Sequence, residues 1–190
     1  MARPVLYYDL GSPYAYLAVE RAERVLGVAP RLQPVLLGGI FGYRGRGSWA
    51  HTSERERNVA EIERRAAAYG LPPLTWPPGW PPNTLRAMRA ATWADREGAG
   101  AEFAVAAFRR AFAGGADLGD LDVVAEVGRS VGLDERGLRS AVEDPAIKRV
   151  LLEATQSAWA AGVAGVPCLR IGDQVAYGDD RLERAAAELL

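Results

Sequence analysis

The chain opens on a short apolar run, Val5-Leu6-Tyr7-Tyr8-Asp9-Leu10, whose β-forming residues predict a buried strand. Gly11-Ser12-Pro13 breaks it. From Tyr14 the apolar positions fall at three and four spacing, through Leu17, Ala18, Arg21, Ala22, Val25 and Leu26, until Gly27 stops the helix. Arg31 to Leu37 reads as a second strand, with Pro34 tolerated if that strand lies at a sheet edge. These forty residues spell β-α-β, and a right-handed crossover predicts two parallel strands in one sheet.

The pattern then changes. Gly38 to Ser48 holds five glycines and reads as a loop. Thr52 to Tyr69 is a charged helix, and the prolines of Leu71 to Pro82 impose an extended connector bearing Trp76 and Trp80. Helical spacing follows over Thr84–Glu97, Ala101–Ala113, Leu121–Val131, Asp134–Val142 and Pro145–Ala161, with short glycine-containing connections. Cys168 to Ile171 and Val175 to Tyr177, joined by Gly172-Asp173, predict a hairpin, and Arg181 to Leu190 a closing helix. This α/β order is that of a thioredoxin-like fold, β-α-β followed later by α-β-β-α, with an all-helical insertion after its second strand. Residues 1–39 plus 146–190 are expected to form the thioredoxin-like domain and 40–145 the helical insertion domain.

Composition narrows the function classes. The chain has 190 residues, 49% of them hydrophobic and 25% charged, enough for one well-buried domain with an elaboration but not for two independent ones. Its 23 basic and 24 acidic residues give a net charge of -1, with arginines scattered among glutamates, so nucleic acid and membrane surfaces are not expected partners. The single Cys168 excludes an intrachain disulfide and points to a reducing compartment. No signal peptide is recognisable, and no apolar run approaches the ~20 residues that span a bilayer, so a cytoplasmic location is expected.

Two places can carry chemistry. At the strand-to-helix junction, Ser12 and Pro13 are good capping residues, and Ser12 serves either as an N-cap alone or also as a donor to an anion held at the helix terminus. Redox thioredoxin folds place Cys-x-x-Cys here; Ser12 and Ala15 stand at those positions, so this junction performs no thiol-disulfide exchange. The second place is Gly162-Val163-Ala164-Gly165-Val166-Pro167, between a helix and a strand. There Pro167 either starts the strand or forms a cis bond that presents the Val166 backbone to a peptide-like ligand.

The segments Tyr8–Ala18, Leu37–Phe41, Pro82–Ala90, Gly162–Pro167 and Gly178–Leu182 together resemble the 2-hydroxychromene-2-carboxylate isomerases, which group with kappa-class glutathione transferases in the DsbA-like branch. The resemblance implies a homodimer that takes glutathione and an aromatic 2-hydroxy or α-keto acid; the alanine- and arginine-rich composition, which points to a GC-rich bacterium, leaves another small thiol such as mycothiol open. It implies a sulfur-facing Ser12, backbone pairing at Val166 beside Pro167, and a γ-glutamyl contact at Asp179 and Asp180, the first of which is usually serine. Where the family presents an asparagine near the thiol, this chain reads Arg44-Gly45-Arg46-Gly47-Ser48-Trp49.

Tyr14, Arg44, Arg46, Trp49, Trp80 and Asn83 are the candidate substrate contacts; the arginines either pair a carboxylate or are solvated loop charges. Asp180 with Glu183 also fits a capping box. His51, the only histidine, reads as a surface or capping residue, and Cys168 as a small buried side chain or a thiol beside the pocket. The rival readings are a noncatalytic thiol- or peptide-binding module without cysteines and a disulfide oxidoreductase working through Cys168 alone.

Overall fold

The computed structural model describes residues 3–45 and 47–187. Strand β1 (Val5–Tyr8) leads through helix α1 (Pro13–Leu26) to β2 (Arg31–Pro34), and the two strands pair in parallel with Val5 opposite Arg31 and Tyr8 opposite Pro34. After the helical segment, β3 (Cys168–Ile171) lies antiparallel on the other side of β1, and β4 (Gln174–Tyr177) closes a hairpin whose two-residue turn is Gly172-Asp173. The order β2-β1-β3-β4 places Pro34 on an edge strand, where its missing donor is tolerated.

Alternation along β1 sends its side chains to two cores. Leu6 and Tyr8 join α1 and the aromatic residues of α5, named below, while Tyr7 meets Val35, Ile40, Ala158, Val163, Val166 and Cys168 on the opposite face. Between β2 and β3 run α2 (Leu37–Arg44), α3 (Arg55–Ala68), α4 (Leu85–Arg96), α5 (Gly100–Phe112), α6 (Leu121–Ser130), α7 (Glu135–Ala141) and α8 (Pro145–Ala160). Phe103, Phe108 and Phe112 of α5 pack into the same apolar core as Leu6 and Tyr8, so these helices and the sheet share buried surface. Asp120, Asp134 and Asp144 cap α6, α7 and α8 through their side chains, and Pro145 takes the first position of α8, where its lack of an N–H costs nothing.

Two expectations about the stretch after β1-α1 need correcting. The second strand ends at Pro34 instead of Leu37, and the glycine-rich segment read as a loop contains α2. Each glycine costs a helix roughly 1 kcal/mol against alanine, so local propensity argues against this helix. Tertiary contacts overrule it: the Leu37 N–H donates to Asp9 Oδ2 at 2.8 Å, the Leu36 N–H to Thr155 Oγ1 at 2.9 Å, and Ile40 is fully buried. Gly45, at φ 63°, ends the helix in the left-handed conformation that glycine adopts without strain.

At the C-terminal end a 3₁₀ turn over Asp179–Arg181 precedes α9 (Leu182–Ala187). The capping box expected from Asp180 and Glu183 does not form, because Glu183 ion-pairs with the buried Arg21 of α1. Among the described residues, no helix is long and apolar enough to cross a membrane.

Candidate functional site

A cleft of about 700 Å³ opens at the carboxyl ends of β1 and β2, the position where α/β sheets commonly bind ligands. Ser12 lies in its wall, 4% exposed. The residue caps α1 with extended backbone, and its Oγ accepts from the Ala15 N–H at 3.2 Å. The hydroxyl proton has no acceptor among the described residues, so it is free to donate to whatever enters the cleft.

Val166 lines the same cleft and precedes Pro167 through a cis peptide bond, as one of the two sequence alternatives expected. The Pro167 carbonyl is taken by the Gly178 N–H at 3.0 Å, whereas the Val166 backbone pairs with no main-chain partner among the described residues. A hydroxyl donor and an open stretch of backbone thus face one space. A second cis bond, Trp80–Pro81, also borders the cleft and has no forerunner in the sequence reading.

The foot of the cleft is Asp9, whose carboxylate the sequence reading passed over. It is 5% exposed and accepts three hydrogen bonds: from Gly11 N–H at 2.8 Å and Thr84 Oγ1 at 3.2 Å on Oδ1, and from Leu37 N–H at 2.8 Å on Oδ2. Burial raises its pKa above the usual carboxylate range, while these three donors oppose the shift. The starts of α1, α2 and α4 all border the cleft, and each presents the positive end of a helix dipole toward it. Such a space favours an anion.

The remaining wall is aromatic. Trp49 and Trp80 pack at 5.4 Å, Trp76 meets Trp80 edge-on at 4.9 Å, and Tyr14 meets Trp49 at 6.1 Å. Tyr14 is also anchored through its hydroxyl to Asn58 Oδ1 at 3.2 Å. Asn83 Oδ1 accepts from the Leu85 N–H at 3.1 Å, so the asparagine helps start α4 while facing the cleft. Arg44 is pinned, its Nη1 donating to the Ala164 carbonyl at 2.7 Å, which sets a cation beside the loop that carries Val166. Arg46 lies outside the described residues. Tyr177, missed in the sequence, adds a phenol next to Val166; its ring sits over Gly165, where a Cβ would come within 2.6 Å of it.

Four candidates lie elsewhere. The Asp179 side chain is sealed from solvent, accepting from Arg65 Nη1 at 2.8 Å and Tyr69 Oη at 2.9 Å. Asp180 is exposed, 4.0 Å from the same arginine, and neither aspartate borders the cleft. His51 is exposed in a 3₁₀ turn over Trp49–His51 and is not part of the lining. Cys168 is buried, and desolvation pushes its thiol up to about 11, which makes it a poor nucleophile at neutral pH. Among the described residues, no cluster of histidine, cysteine and carboxylate side chains is suited to a metal ion.

A family model for the DSBA-like thioredoxin domain matches residues 5–190. The chain is 28% identical over 193 residues to a 2-hydroxychromene-2-carboxylate isomerase of Sphingobium xenophagum, covering 97% of this chain and 96% of that one. A solved 2-hydroxychromene-2-carboxylate isomerase superposes with a TM-score of 0.88 at 22% identity, covering 98% of this chain and 93% of the other. The cytosolic disulfide reductase DsbM of Pseudomonas aeruginosa, solved with GSH, gives a TM-score of 0.65 at 16% identity, with 98% and 96% covered.

Proposed function

The chain belongs to the DSBA-like thioredoxin domain family, and from that premise we propose that it is a thiol-dependent isomerase of an aromatic 2-hydroxy or α-keto acid such as 2-hydroxychromene-2-carboxylate. The observation that carries the reading is the Ser12 hydroxyl, unpaired as a donor, in the same cleft as the open Val166 backbone. A small thiol of the glutathione type fits those two features. Its sulfur would lie against Ser12 and its peptide chain along Val166, as an added strand pairs with an edge.

Bound there, such a thiol supplies a nucleophilic sulfur that adds to an electron-poor double bond and leaves again after rotation, unchanged. Ser12 stabilises the anionic form of the sulfur by donating its proton in a hydrogen bond, and the α1 terminus adds a partial positive charge. A free thiol has a pKa of about 8.5, and lowering it by one to two units requires about 1.4 to 2.7 kcal/mol, within reach of these two effects. Ser12 keeps its own proton throughout, so the chemistry needs no histidine. Trp49, Trp80 and Tyr14 hold the aromatic ring of the substrate, and Arg44 pairs its carboxylate. We place the protein in the cytosol, consistent with an unpaired Cys168. A disulfide oxidoreductase fits less well, since serine and alanine stand at the cysteine positions and Cys168 is buried.

Steady-state assays with a panel of thiols, wild type against Ser12→Ala, test the reading. Thiol-dependent turnover that drops about ten- to a hundredfold in the variant is expected from the pKa argument. Wild-type protein that turns nothing over with any thiol, yet binds one equally well with or without the Ser12 hydroxyl, would be a noncatalytic binding module instead.

A further inference from the structure

Asp9 leaves β1 at the cleft floor and gathers donors from three parts of the chain. Gly11 N–H comes from its own loop, Leu37 N–H from the first residue of α2, and Thr84 Oγ1 from the residue that caps α4. The last two lie 28 and 75 residues away, so the contacts join segments that nothing local brings together. Space around this junction is tight: a Cβ on Gly11 would stand 3.3 Å from Thr84 Oγ1 and 3.4 Å from Asp9 Oδ1. No cationic side chain pairs with Asp9 among the described residues.

The residue type matters for a geometric reason. Both ends of the side chain must accept, Oδ1 from two donors and Oδ2 from one. An asparagine of the same shape carries an acceptor at only one end and would meet either the Leu37 N–H or the Gly11 N–H with another donor. A carboxylate is therefore retained in a buried place that otherwise disfavours charge.

We propose that Asp9 is a positioning residue, which fixes the α2 and α4 walls of the cleft at a set distance from Ser12 and so places the substrate against the bound sulfur. The Ser12 Oγ is itself held by the Ala15 N–H, and the Ser12 N–H by the Asp9 main-chain carbonyl, which a side-chain substitution leaves in place, so the Asp9 carboxylate acts on substrate placement more than on the thiol. The inference deepens the proposed function and rests on it for its kinetic arm.

Hydrogen exchange and kinetics on the full chain test it, with Asp9→Asn, Thr84→Val and Thr84→Ser. In Asp9→Asn every bond to the side chain loses its charge assistance and one end loses its acceptor, so peptides covering residues 36–44 or 83–88, or both, should exchange about tenfold faster, while the β3–β4 hairpin keeps its protection. Thr84→Val should loosen only 83–88, and Thr84→Ser should restore it. KM for the aromatic acid should rise about tenfold in Asp9→Asn with a smaller change in kcat, the sign of lost placement and not of a smaller folded fraction. Wild-type protection of both segments in Asp9→Asn, or a fall in kcat at constant KM, overturns the proposal. If Asp9→Asn loosens the whole protein, Thr84→Val decides: no local change at 83–88 overturns it. A wild-type protein without turnover refutes the proposed function but leaves the exchange arm to judge Asp9.

Discussion

Arg65 Nη1 lies 2.8 Å from Asp179 Oδ1, and the aspartate side chain is wholly shut off from solvent while 24% of the arginine side chain is exposed. The pair joins α3 to the turn that starts α9, and Tyr69 completes it by donating to the other carboxylate oxygen. Breaking a buried pair from one side leaves an uncompensated charge, so Arg65→Met should lose about 3 kcal/mol of stability, less than the upper range because the arginine is partly solvated. Tyr69→Phe removes one hydrogen bond to a charged group and should cost roughly 1.5 to 3 kcal/mol. Urea unfolding of the two variants measures both. An Arg65→Met protein as stable as wild type would mean that Asp179 finds another partner and is freer than its burial implies.

Ser12 has two tasks that separate by substitution. As a cap it accepts from Ala15; as a donor it faces the cleft. Ser12→Ala should cost about 1 kcal/mol of stability, whereas Ser12→Gly should cost only a few tenths, because glycine is itself an acceptable cap. Both variants lack the hydroxyl and should lose thiol-dependent turnover alike. Thermal melts run beside the assays check this, and activity that follows stability across the two variants would place the role of Ser12 in folding alone.

The contrast between these residues explains what could be read in advance. Ser12, Pro13 and the Val166-Pro167 pair belong to local patterns, a helix start and a helix-to-strand junction, and their physics is contained in a few neighbours. Helix α2 was illegible because Gly38, Gly39 and Gly42 argue against a helix, and what sustains it comes from Asp9 and Thr155, the latter 119 residues from Leu36. Asp9 itself stood in the motif, yet its role depends on Thr84. Asp179 reads as a ligand contact by resemblance and becomes an internal ion-pair partner only once α3 is folded beside it.

Cys168 should be nearly unreactive. With its thiol pushed up to about 11 by burial, the thiolate fraction at neutral pH is about two to three orders of magnitude below that of a free thiol near 8.5. The sign with pH follows: the group is neutral through the physiological range, and its alkylation rate should rise about tenfold per pH unit and still be climbing at pH values where a free thiol has levelled off. Iodoacetamide labelling followed by mass spectrometry, at a series of pH values in the folded range, gives the curve. A plateau near that of free cysteine would show that the side chain is open to the cleft.

Gly165 makes room for the ring of Tyr177, which lines the cleft. Its backbone φ is not in the left-handed region, so alanine is conformationally acceptable there, but the new Cβ would lie 2.6 Å from the Tyr177 ring and 3.1 Å from its Cζ. The ring is the far end of a side chain whose residue is 57% exposed, so it can swing away at small cost, and Gly165→Ala should change stability by less than about 1 kcal/mol. The displaced phenol then stands differently beside Val166, where the backbone of a thiol ligand is proposed to pair. Thiol affinity should fall several-fold in Gly165→Ala and recover in the double variant with Tyr177→Ala, whose small side chain no longer meets the added methyl. Calorimetric titration of the wild type, the two single variants and the double variant reads the cycle. Equal, additive losses from the two substitutions would place the effect in the Gly165 backbone and not in the ring that rests on it.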